Sequence, residues 1–167
     1  MRNHDNRCYG YAVLSAIKDQ LSGHHKSEAS YYTETDFKTN GLSKINYPVA
    51  VETVPDLENQ LQTSFNLLSF YDSEGRGRYV MRVSQRQLPR EIDLLYWDNQ
   101  YVWIKNFGAL FRDITKKGHR YVFCKRCLSH FIRPEDLTTH LKLCSCKDWC
   151  SIQHILPSSN TMIEFTA

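Results

Sequence analysis

Four residues in the last third of this 167-residue chain have the types and spacing of a metal site: Cys124-x2-Cys127-x12-His140-x3-Cys144. Two cysteines separated by two residues can face one ion from a single tight turn, and a histidine and cysteine four apart share one face of a helix. Thiolates and imidazole are the donors that a tetrahedral structural zinc ion takes. Phe131, four after Cys127, and Leu137, three before His140, fall where so small a module would bury its apolar core. Pro134 suits a first helical turn, and Glu135 and Asp136 are favourable against the helix dipole. The spacing therefore predicts a C2HC zinc finger of ββα form over 115–150, with zinc in a structural role. Cys146 is an alternative to Cys144 as the last ligand. A second site built from Cys146, Cys150 and His154 would lack a fourth ligand.

The remaining cysteine, Cys8, poses a separate question. It opens a stretch with apolar residues at helical spacing (Val13, Leu14, Ile17 and Leu21), with Asp5 and Asn6 upstream as capping residues. A cysteine at a helix N-terminus is where a papain-type nucleophile stands, because the helix end stabilises a thiolate and its free amides can hold an oxyanion. Such a site also needs a histidine at the edge of the following sheet and an amide or acid to orient it. The expected place, just before Tyr101-Val-Trp-Ile-Lys105, holds Gln100, which takes no proton from a thiol at neutral pH. Asn106 is the candidate orienting amide. His4, His24, His25, His119 and His130 are the other bases to consider. Asp5, three before Cys8, matches the Asp-x-x-Cys opening of deubiquitinase-type sequences. Against all this stands the plain reading of Cys8 as a small buried residue.

Charge separates the two regions. Residues 115–148 hold eight Lys/Arg against three Asp/Glu, a net +5 that leaves −2 for the rest of the chain. Lys116, Lys117, Arg120, Lys125, Arg126 and Arg133 are thus candidates for phosphate contact. A lone finger reads about 3 bp, too little for specific DNA recognition by itself, so a folding or protein-contact role is an equal expectation. Clustering of five of six cysteines between residues 124 and 150 argues against a disulfide scaffold. With neither an apolar run of membrane-spanning length nor a secretory-type start, the cytosol or nucleus is the expected location.

Elements to position these residues can be read from pattern. A helix over 8–21 is followed by a short helix around 30–38 and another at 55–62. Strands are expected at 64–71, 79–83, 92–97 and from Tyr101, the last two joined by a tight turn at Asp98-Asn99-Gln100. A short helix over 106–114 follows, then a charged boundary at 115–119. The expectation is an α+β domain over 1–114 with a papain-like layout of helix plus antiparallel sheet, the finger over 115–150, and a 151–167 tail ending in a short strand.

The order of short motifs adds a resemblance. Asn6-Arg-Cys8-Tyr, Ala12-Val-Leu-Ser-Ala-Ile, Tyr47-Pro-Val, Leu57-Glu-Asn, Ile92-Asp-Leu-Leu-Tyr, Tyr101-Val-Trp-Ile-Lys-Asn-Phe and His119-Arg-Tyr-Val-Phe-Cys-Lys-Arg-Cys-Leu run through nearly the whole chain. Together they resemble the region upstream of the type B DNA polymerase in large proteins of Polinton/Maverick-like mobile elements. The resemblance implies a zinc-binding module of a replication-associated protein, contacting nucleic acid or protein and carrying a degenerate papain-like domain. In similar sequences a histidine precedes the tyrosine of the fourth strand, so Gln100 is a departure. A thiol hydrolase using Cys8, or a host-acting effector, is the rival expectation. The acidic metal motifs of exonuclease and polymerase do not occur in these residues.

Overall fold

A computed structural model of the chain describes residues 5–22, 29–71, 77–112 and 121–144. Helix α1 (Cys8–Ser22) lies at the centre, and every residue from Tyr9 to Ile17 is buried. The pattern predicts one apolar face; the structure covers all sides. The reason is the segment 29–61, which wraps the side of α1 away from the sheet and contributes Phe37, Leu42, Ile45 and Val49 to one continuous core. Close approach makes Gly10 necessary, since a Cβ there would stand 2.5 Å from the Phe37 ring and 2.7 Å from the Tyr47 hydroxyl. Within the wrap, α2 (Glu34–Thr39) begins at a capping box between Thr33 and Asp36. Helix α3 (Val54–Leu61) has Pro55 in its first turn and buries Val54, Leu57 and Leu61.

The chain then forms β1 (Thr63–Phe70), β2 (Arg78–Arg82), β3 (Arg90–Trp97) and β4 (Gln100–Trp103), ordered β2-β1-β3-β4 in one sheet. The α+β class stands, but the expected antiparallel sheet is corrected to a mixed one: β1 and β3 run parallel, with Thr63 opposite Arg90 and Leu68 opposite Leu95. The cause lies in β1, buried from Thr63 to Ser69. So buried a strand needs a neighbour on both edges. β2 folds back antiparallel on one edge, and residues 83–89 then carry the chain to the start of β1. Ser64 pins this return, donating to the Arg86 carbonyl (2.8 Å) and accepting from the Leu88 amide (3.3 Å). The β3–β4 turn is as tight as expected: Asp98 and Asn99 both have positive φ, as a two-residue turn of type I′ requires.

Alternation along β1 gives the sheet two different faces. Phe65 and Leu67 meet α1, alongside Ile92, Leu94 and Tyr101 from β3 and β4. Ser64, Asn66, Leu68 and Phe70 point the other way. There a smaller core gathers Leu68, Phe111 and Phe123, flanked by Leu95, Ile104, Phe107 and Leu128. Phe111 belongs to a 3-10 turn (Phe107–Phe111) started by Asn106, whose side chain accepts from the Ala109 amide. Phe123 lies in β5 (Val122–Phe123), which pairs with β6 (His130–Phe131) ahead of α4 (Pro134–Leu143). The Phe111 and Phe123 rings stack with centroids 4.6 Å apart. By this contact the C-terminal unit is seated on the second face of the sheet.

Candidate metal centre

The β5–β6 hairpin and α4 bring Cys124, Cys127, His140 and Cys144 together, with one ligand atom from each and all four within 4.8 Å of one another. A knuckle makes this meeting local. The Cys124 amide donates to the Ser129 carbonyl (2.9 Å), and the Leu128 amide donates to the Cys124 carbonyl (2.8 Å). Leu128 takes a left-handed φ of 61°, a strained choice for a branched residue that the tight turn imposes. His140 is on α4, and Cys144 is its C-cap, with its amide bonded to the His140 carbonyl at 2.8 Å.

Two of the ligand–ligand distances suit a tetrahedral ion. With metal–sulfur bonds of about 2.3 Å, a tetrahedron has sulfur–sulfur edges of about 3.8 Å. The Cys124 and Cys144 sulfurs stand 3.8 Å apart, too far for a disulfide, and Cys127 Sγ is 3.2 Å from His140 Nε2. Burial pushes the Cys127 thiol up, but hydrogen bonding with Ser129, Cys124 and His140 outweighs it and brings the thiol down to about 7. A thiol so poised gives up its proton to a cation readily. The Phe131 ring lies against His140 at 5.0 Å and fixes the imidazole plane, and Leu137 is half-buried beneath the helix. These four residues can therefore hold a metal ion, and Cys144 supplies the fourth corner. Cys146, Cys150 and His154 lie outside the described residues.

Three basic residues of the unit are already engaged. Lys125 reaches across to β3, 2.8 Å from Glu91 and 2.8 Å from Asp93. Arg126 donates to the Cys144 carbonyl at 2.9 Å, tying the knuckle to the end of α4. Arg133 makes two parallel bonds to Asp136, at 2.9 and 3.0 Å. Lys116, Lys117 and Arg120 lie outside the described residues.

Around Cys8 the picture differs. The residue opens α1 and is partly exposed, and its thiol donates to the Asn99 carbonyl at 4.0 Å. Gln100 pairs with Trp97 across the turn. Tyr101, the next residue, turns toward α1 and packs on Tyr9 at 5.1 Å, so alternation sends Gln100 to the opposite face. Asn106 caps the 3-10 turn and makes no bond to Cys8. Asp5 accepts from the Tyr11 hydroxyl (2.7 Å) and the Arg7 amide (3.2 Å), which serves the start of α1. His130 is on β6, in the metal unit; His4, His24, His25 and His119 lie outside the described residues.

Sequence reasoning missed the acids that answer Lys125. Glu91-Ile-Asp93 alternates charge with apolar Ile92 and Leu94, and that period of two marks a polar second face. Compared with protein-family models, curated proteins and solved structures, the chain matches none.

Proposed function

We propose that the chain is a zinc-dependent protein-interaction module, in which a C2HC zinc finger is fixed to an α+β domain of papain-like layout. The observation that carries this reading is the close approach of three cysteine sulfurs and one imidazole, all within 4.8 Å of one another. Thiolate-rich sets of this kind favour zinc over hard cations, and the closed set with no open position is that of a structural ion. The resemblance to replication-associated proteins of mobile elements supplies the setting. A protein partner is favoured over nucleic acid because Lys125 and Arg133 are paired with acids of the same chain and Arg126 is held by a carbonyl. The test is metal content after purification without added metal, with a Cys124→Ser variant alongside. One zinc per wild-type chain and none in the variant is expected; a metal-free wild-type chain would sink the reading. Binding to single- and double-stranded DNA at low salt is expected to be weak, and tight, steeply salt-dependent binding would transfer the partner to nucleic acid.

A second reading, thiol hydrolysis, is favoured by Cys8 at the first position of α1 with its sulfur partly exposed. Labelling of Cys8 by iodoacetamide far faster than free cysteine would support it, and ordinary labelling would remove it. Hydrolysis gained on Gln100→His would mark a degenerate site.

A further inference from the structure

The three sulfurs of the ligand set differ in exposure: Cys127 is exposed, whereas Cys124 and Cys144 are buried. Cys124 comes straight after buried Phe123 at the end of β5, and Cys127 comes after exposed Arg126 in the turn beyond it. A small oxidant arriving from solvent therefore meets Cys127 first. A second sulfur stands behind it, since Cys124 and Cys127 hydrogen-bond to each other and belong to one short turn. The four ligands also divide between two supports. Cys124 and Cys127 are on the hairpin, which Phe123 anchors by its stack on Phe111 at 4.6 Å. His140 and Cys144 belong to α4, which buries none of its residues and is tied to the knuckle by Arg126, through the Cys144 carbonyl at 2.9 Å.

We infer that Cys127 and Cys124 form a peroxide-sensitive pair, and that joining their sulfurs releases the metal ion and with it α4. The inference rests on the metal reading above and names how that site is regulated. In the first step the Cys127 sulfur attacks one oxygen of hydrogen peroxide; the O–O bond breaks, water leaves, and a sulfenic acid remains. In the second the Cys124 sulfur attacks the Cys127 sulfur, an S–S bond forms, and the sulfenic hydroxyl leaves as a second water. Two thiols are oxidised and one peroxide is reduced; where the sulfurs start as metal-bound thiolates, two protons come from solvent. Half of the donor set is then gone. The remaining imidazole and thiol are too few for a closed tetrahedral site. A link within the hairpin leaves Phe123 seated, whereas α4 loses the ion that it shares with the hairpin.

The test uses the full chain, with its zinc content measured first, and hydrogen peroxide as the probe. Zinc release is followed with a chromogenic chelator, and cysteine links are mapped by peptide mass spectrometry. One zinc is expected to leave for each Cys124–Cys127 link formed. Amide protection over 134–143 should fall while β1 stays protected, and dithiothreitol with added zinc should restore both metal and protection. Cys127→His keeps a zinc donor at that corner and removes the exposed sulfur, so the loaded variant should hold its zinc at the same peroxide dose. If the variant does not load, the wild-type map decides alone. Zinc lost without this link, oxidation confined to Cys8, or a link that omits Cys124 or Cys127 would overturn the inference. A chain that loads zinc and keeps it under peroxide fails this inference alone. A chain that never loads zinc fails the metal reading, and this inference falls with it.

Discussion

The two faces of the sheet are held by different physics. Toward α1, cohesion comes from hydrocarbon and aromatic surface: Leu14, Phe65, Leu67 and Leu94 are each 0% exposed. Each such side chain contributes about 1.5–3 kcal/mol by leaving water. Toward the C-terminal unit the apolar set is small, and the gap is filled by the Lys125 ion pairs, the Ser64 and Asn66 hydrogen bonds, and the metal ligands. Helix α4 buries none of its residues, so its place depends on the ligand set and on Phe123. One face is held by its own apolar contacts; the other gathers four residues that can hold a metal ion.

Removing the metal gives the largest expected effect. Structural zinc contributes on the order of 10 kcal/mol to the fold it closes. Chelation, or Cys124→Ser, should strip hydrogen-exchange protection from 134–143 and leave α1 and β1 protected. Equal loss on both sides would break the contrast between the faces. Next comes Glu58→Gln, which leaves Arg82 without its anion at a cost of about 3–5 kcal/mol by urea unfolding. Its pH signature follows from the depressed carboxyl, which burial raises but the Arg82, Phe65 and Ser84 hydrogen bonds lower further. The stability it provides is complete above the ordinary carboxyl value of 4.5 and lost as pH falls through the lower folded value. The variant should therefore show a flatter acid limb, and an unchanged limb would remove Glu58 from that account. Leu94→Ala should cost about 2–5 kcal/mol while leaving zinc affinity unchanged. Phe123→Ala should do the reverse, making the metal easier to chelate. Smallest is Lys125→Gln, expected at about 1 kcal/mol or less because the ammonium is 37% exposed.

Much of this was legible in the sequence, and the rest was hidden for identifiable reasons. The helix opening at Cys8, the strand at 64–71, the Asp98-Asn99 turn and the ligand quartet each follow from local spacing. The parallel partnership of β1 and β3 does not, because strand order is settled by which strand is most buried and by how the 83–89 return is pinned. The occupation of Lys125 was invisible for a similar reason: Glu91 and Asp93 lie more than thirty residues upstream. Basic composition points to phosphate; of the six basic residues named for that role, the three that are described bond within the chain. Near Cys8 it is the Asn99 carbonyl, one residue before Gln100, that reaches the thiol. Strand alternation decides the side chain's direction, and it turns Gln100 the other way.

Phe123 and Cys124 are neighbours in sequence but serve different structures, the ring belonging to the sheet's second core and the sulfur to the metal ligand set. This adjacency limits how the molecule can be taken apart. A cut near 114–115 would separate stacked rings, leaving Phe111 bare on one piece and Phe123 on the other. Each fragment would then expose a sticky aromatic patch, a recipe for aggregation in expression trials. In evolutionary shuffling the same constraint would make the C-terminal unit a poor traveller, inherited with its sheet or not at all.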